Sequence, residues 1–132
     1  MEPLAILMAE RACEALIIEY AALNDACGWD ALAALYLEEG RMSRPSAPDA
    51  FIEGRAAILA AFMSRPARAS RHICANIRVT FDGPDEAAAT SQILLFTAPD
   101  KSPLVGTYRD RLRRTADGWR FVERRGSLDF PT

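Results

Sequence analysis

Hydrophobic positions follow two different rhythms along this chain. Cys13, Leu16, Ile17, Tyr20 and Leu23 recur at spacings of three, one, three and three, which lays them on one helical face. The spacing predicts a helix from about Pro3 or Leu4 to about Leu23, with Pro3 tolerated in the first turn. Asn24-Asp25-Ala26-Cys27-Gly28 reads as its end, with Gly28 as the punctuation. Trp29, Leu32, Leu35 and Tyr36 predict a short second helix that stops before Gly40. Pro45 and Pro48 break the stretch from Arg41, which reads as loop or edge strand. Gly54 precedes a third helix, with Ile58, Leu59 and Phe62 on its apolar side and Pro66 beyond its end.

From Ser70 the period becomes two. Ile73, Ala75, Ile77, Val79 and Phe81 alternate with His72, Cys74, Asn76, Arg78 and Thr80, so the two sets occupy opposite faces of a strand. One bulge in this strand would exchange the faces. After the turn signal Asp82-Gly83-Pro84-Asp85, a second strand is predicted over Ala87 to Thr97. A third follows over Leu104 to Arg114, then an Asp117-Gly118 hairpin turn and a fourth over Trp119 to Phe130. Helices followed by a long antiparallel meander predict an α+β fold. Strands this long must coil. Wrapped over a long N-terminal helix, they enclose a cone with a cavity at its open end. Trp29 and Trp119 read as core.

Length and charge narrow the picture. The 132 residues correspond to one domain, 1–132. Half of the residues are hydrophobic and 26% are charged, the profile of a globular chain. The net charge of −2 gives no general basic field, which argues against a nucleic-acid partner. Residues 1–66 carry ten acids and five bases; residues 67–132 carry eight acids and eleven bases. The cluster Arg109, Arg111, Arg113, Arg114, Arg120, Arg124 and Arg125 reads as a solvated or dimer-facing sheet surface, with Asp110, Glu123 and Asp129 able to pair across strands. Cys13, Cys27 and Cys74 are odd in number and widely spaced, which predicts reduced thiols in a cytoplasmic protein and neither a disulfide framework nor a metal site. The start is apolar but interrupted by Glu2, Glu10, Arg11 and Glu14, unlike a signal peptide, and no run reaches the ~20 apolar residues of a membrane span. His72 is the single histidine, so any histidine chemistry passes through it.

Four segments, in order, carry a resemblance that covers nearly the whole chain. They are Tyr20 to Leu32, with an aspartate four residues before a tryptophan, and Ile52-Glu53-Gly54-Arg55-Ala56-Ala57-Ile58. The others are Ser70-Arg71-His72-Ile73-Cys74-Ala75-Asn76, and Gly106-Thr107-Tyr108-Arg109-Asp110 with Asp117-Gly118-Trp119-Arg120. Together they resemble the SnoaL-like branch of the nuclear transport factor 2-like (cystatin-like) superfamily. The resemblance implies a three-helix cone with a ligand pocket, working without a cofactor on a small cyclic or polyketide-like ligand, often as a homodimer paired through the sheet. Within it, Asp25 and His72 match the aspartate and histidine of scytalone dehydratase-like enzymes, while Asn24 stands where those enzymes have a tyrosine. The runs Tyr108 to Arg114 and Arg124 to Asp129 instead resemble the beta subunit of aromatic-ring-hydroxylating dioxygenases, which implies a non-catalytic or ligand-binding role.

The catalytic expectation is an Asp25–His72 pair. A carboxylate on one imidazole nitrogen fixes the tautomer and raises the basicity of the other. Such a pair can move a proton next to a carbonyl or protonate a leaving hydroxyl, as in a dehydratase, isomerase or cyclase. Tyr20, Asn76 and Tyr108 are the candidate substrate-binding residues. Four of these five have a plain alternative: a turn residue for Asp25, a hydrogen-bonded core histidine for His72, backbone capping for Asn76 and core filling for Tyr20.

Overall fold

The computed structural model describes residues 1–130. Three helices, α1 (Pro3–Asp25), α2 (Trp29–Ala33) and α3 (Arg55–Met63), pack against one six-stranded sheet. Its strands are β1 (Tyr36–Arg44), β2 (Ala47–Glu53), β3 (Arg71–Phe81), β4 (Glu86–Phe96), β5 (Leu104–Thr115) and β6 (Gly118–Leu128), in the spatial order β2-β1-β6-β5-β4-β3. The expected α+β class and the four C-terminal strands stand. All neighbours are antiparallel except β1 and β6, which run parallel. No helix among the described residues is long and apolar enough to cross a membrane.

The apolar stripe of α1 is the face that packs on the sheet, and Cys13, Leu16, Ile17 and Tyr20 are buried there. The helix ends in paired carbonyl caps: the Cys27 N–H donates to the Asn24 carbonyl at 3.2 Å and the Gly28 N–H to the Leu23 carbonyl at 2.9 Å. The left-handed residue of this cap is Cys27, at φ 57°, one position before the expected glycine.

The second expected helix is shorter than its apolar pattern. It stops at Ala33, and Tyr36 to Arg44 pairs with β6, beginning where the Phe121 N–H donates to the Leu35 carbonyl at 2.8 Å. Tertiary pairing overrides the helix propensity of Leu37-Glu38-Glu39 here. The Pro45–Pro48 region, open between loop and edge strand, is the tip of a β1–β2 hairpin with β2 at the sheet edge.

Two bulges decide which residues face inward. In β3 the register shifts between Ala75 and Arg78, with Asn76 at φ 53°. Before this shift His72 and Cys74 point in and Ile73 points out; after it Ile77, Val79 and Phe81 point in. The single apolar face read from Ile73 to Phe81 is therefore split between the two sides. A second shift, where β5 meets β6, brings Arg124 into phase with Trp119 and Phe121 on the inner face. Arg124, expected on the surface, is only 1% exposed.

Arg124 is the largest fully buried side chain. Its guanidinium carbon lies 3.8 Å from the Tyr108 ring centroid and 4.4 Å from that of Tyr20. Nε donates to Asp110 Oδ1 at 3.1 Å, so the expected cross-strand pairing of Asp110 occurs, but inside the core. Burial pushes the Asp110 carboxyl up to about 6 against the opposing pull of Arg124. Asp110 Oδ2 and one terminal nitrogen of Arg124 find no partner among the described residues.

Candidate functional site

A cavity of about 270 Å³ opens between the C-terminal half of α1, the end of α3 and the inner face of the sheet. Tyr20 and Asn24 of α1, Phe62 of α3, His72 of β3 and Tyr108 of β5 form its interior, with Ile93 and Leu95 as apolar wall. The β1–β2 turn, with Arg44, Pro45 and Ser46, and the segment carrying Arg65 and Arg68 complete it.

Asp25 and His72 meet, although 47 positions separate them. The last turn of α1 holds Asp25 against the start of β3. His72 Nδ1 lies 2.5 Å from Asp25 Oδ1, the His72 backbone N–H donates to Oδ2 at 2.9 Å, and the Ser70 hydroxyl donates to Oδ1 at 3.0 Å. Burial alone would raise the Asp25 carboxyl, but these bonds from His72 and Ser70 outweigh it and hold it below the usual carboxylate range. An ionised Asp25 accepts, so the ring presents Nδ1–H to it. Nε2, which has no hydrogen bond among the described residues, then carries the lone pair, and His72 lines the cavity.

Burial also lowers the proton affinity of His72. Asp25 raises it by a smaller amount, and the Arg65 and Arg68 charges lower it further. A proton affinity below the ordinary one favours the neutral ring at pH 7, the form a general base requires. The two residues that the sequence singled out as an acid–base pair are thus in contact.

Tyr20 is buried with its ring at the cavity, and its hydroxyl bonds that of Tyr36 at 2.9 Å. It packs edge-on against Tyr36, Phe62 and Phe121, so the core role and the cavity-lining position coincide. Tyr108 lines the cavity, and its hydroxyl has no hydrogen bond among the described residues. Asn76 does not join them. It occupies the β3 bulge, exposed, where its tolerance of positive φ serves the backbone. The expectation that it shares a face with His72 fails because the bulge intervenes.

Sequence reasoning missed two groups. Asn24 is 7% exposed and lines the cavity beside Asp25; its position one residue before the aspartate was the available signal. Arg44, Arg65 and Arg68 surround the mouth, and the only hint was three arginines near prolines in otherwise unassigned segments. Among the described residues no group of three or more His, Cys, Asp or Glu converges as a metal site would need.

Solved structures share this architecture. An NTF2-like protein with a cystatin-like fold from Novosphingobium aromaticivorans is 28% identical, with a TM-score of 0.85 over 98% of this chain and 87% of its own. A candidate scytalone dehydratase from the same organism is 25% identical, with a TM-score of 0.85 over 97% of this chain and 89% of its own. A hexachlorocyclohexane dehydrochlorinase, at 16% identity, superposes with a TM-score of 0.85 over 98% of this chain and 90% of its own, a likeness of fold alone. None of the curated proteins matches the sequence significantly. The model of the SnoaL-like domain matches residues 5–125, and the chain belongs to that family.

Proposed function

We propose that the cavity is the active site of a cofactor-free enzyme acting on a small cyclic or polyketide-like hydroxy-ketone by acid–base catalysis, as a dehydratase, isomerase or cyclase. The observation that carries this reading is the Asp25–His72 contact at the cavity wall, with Nδ1 committed to the carboxylate and Nε2 without a hydrogen bond among the described residues. In a dehydration, Nε2 takes the proton next to the substrate carbonyl. The resulting imidazolium, held by Asp25, gives that proton to the departing β-hydroxyl, which leaves as water while the C–C double bond forms. Tyr108 donates to the substrate oxygen as charge develops there. The candidate scytalone dehydratase among the structural neighbours supports the same chemistry.

The dioxygenase-subunit alternative draws its strength from the arginine-rich hairpin. Arg124 of that hairpin is spent on Asp110 in the core, while Arg113 pairs with Glu86, Arg114 with Asp85 and Arg125 with Asp49. These internal pairings favour the enzyme reading. Homodimerisation through the sheet is part of the proposal: Ile73, Leu94 and Phe96 are exposed on neighbouring strands β3 and β4. The three free cysteines support a reducing, cytoplasmic setting.

The test is turnover of a panel of cyclic β-hydroxy-ketones, followed by the ultraviolet absorbance of the enone. His72→Gln and Asp25→Asn, checked for folding by circular dichroism, should each lose about 10²–10⁴-fold in rate. Full activity in both folded variants would end the proposal.

A further inference from the structure

The cavity mouth has a charge that neither the fold nor the acid–base pair requires. Arg44, Arg65 and Arg68 line it, and Arg65 and Arg68 also line an adjoining concavity of about 250 Å³ that shares Asn24. No aspartate or glutamate lines either space. Ion pairs hold many of the other arginines, yet none of these three pairs with a carboxylate among the described residues.

Arg68 is exposed, but Arg44 and Arg65 are partly buried. Arg65 is half-buried, with its guanidinium carbon 5.1 Å from the Phe62 ring centroid and 5.8 Å from that of Trp29, so two aromatic rings hold its charge near the cavity. Arg44 donates Nη2 to the Ala61 carbonyl at 3.2 Å, while its Nε is buried without a partner. Arg44 and Arg68 also depress the proton affinity of Arg65, after the larger effect of burial, so like charges here work against one another.

We infer that the substrate is an anion, with a carboxylate or phosphate monoester seated at the mouth among Arg44, Arg65 and Arg68 while its reacting ring reaches His72. This rests on the acid–base reading of the same cavity and adds what that reading leaves open, the class of molecule that enters. A planar guanidinium fork suits either oxyanion. The anion would also offset the repulsion that Arg65 and Arg68 exert on a protonated His72, which couples binding at the mouth to the base beyond it.

The experiment compares three probes that share one ring: benzoate, phenyl phosphate and benzamide. Binding is followed through the His72 ring signals by NMR, with the wild type and with Arg65→Gln/Arg68→Gln. At least one anion should bind about tenfold or more tightly than the neutral amide, the effect of one charge-assisted hydrogen bond. The tighter of the two names the anionic group. Its preference should shrink as salt is added and vanish in the double variant. Its binding should move the His72 titration upward, which benzamide should not do. Arg68→Gln alone, at an exposed position, keeps the test intact if the double variant does not fold; it should lose part of the preference. Anions that bind no tighter than benzamide, absence of binding by all three included, overturn the inference. So does a preference unchanged in the arginine variants. The two readings fail separately. Charge selectivity with undiminished turnover in His72→Gln removes the acid–base pair and leaves the anion site. Loss of turnover in that variant without charge selectivity does the reverse.

Discussion

The buried pair Arg124–Asp110 yields the sharpest quantitative expectation. Arg124→Met keeps much of the side-chain length against Tyr20, Tyr108 and Phe121, and removes the cation bonded to Asp110 among the described residues. Taking one partner from a buried pair costs about 3–5 kcal/mol. Proton uptake by the stranded carboxyl limits that cost. Wild-type Asp110, at about 6, lies about one pH unit from its neutral form at pH 7, so keeping it protonated there makes the pH-dependent part of the penalty only ~1.4 kcal/mol. For 132 residues the unfolding entropy is ~0.28 kcal/mol/K, so a loss of 3–4 kcal/mol lowers Tm by roughly 11–14 °C.

The sign of the pH dependence is also fixed. Asp110 already sits at about 6 with Arg124 beside it, above its unfolded value, and loss of Arg124 raises it further. The stability of the variant is therefore best below the unfolded carboxyl value and is lost as pH rises through the folded one; relative to wild type the penalty is flat from about pH 4 to about 5 and grows from there to pH 7, where wild-type Asp110 ionises and the variant's stays protonated. Urea unfolding followed by tryptophan fluorescence across that range measures it. Asp110→Leu combined with Arg124→Met removes both charges and should return to within about 1 kcal/mol of wild type with no such pH dependence. An Arg124→Met penalty below ~1 kcal/mol at pH 7, the same penalty at acid and neutral pH, or no recovery in the double variant would refute the reasoning.

Three further outcomes follow from the same geometry. The His72 ring should titrate by NMR below its ordinary 6.5, and lower again in Asp25→Asn, because Asp25 is the group that raises it. As a depressed base, His72 contributes stability that is present above 6.5 and lost as pH falls through its folded value, and the catalytic rate should fall over the same acid limb. Asn76→Ala should destabilise by ~1 kcal/mol in chemical denaturation, the cost of a left-handed residue without a polar side chain, with probe binding in the cavity unchanged; Asn76→Gly should be tolerated. Cys27→Gly should raise stability by ~1 kcal/mol, since glycine adopts the left-handed helix cap without the Cβ clash, and an unchanged melting temperature would count against that cap.

Elements whose cause is local were legible in the sequence. The stripe from Cys13 to Leu23 is a property of one helix, the alternation after Ser70 is a property of single strands, and Asp117-Gly118 carries its own turn. Asp25 and His72 were also legible, because each sits inside a short motif at an element end. Tertiary structure decided what depends on register. The β1–β6 pairing drew Tyr36 to Arg44 out of a helix, since strand partners far along the chain outweighed propensity. One extra residue in β3 sent Asn76 outward, and a register shift at β6 sent Arg124 inward, because side chains alternate with a period of two and a single insertion reverses every position beyond it. The arginine mouth arises the same way. Arg44 belongs to the β1 end and Arg65 and Arg68 to the segment after α3, and only closure of the sheet over α1 brings their charges to one opening beside His72.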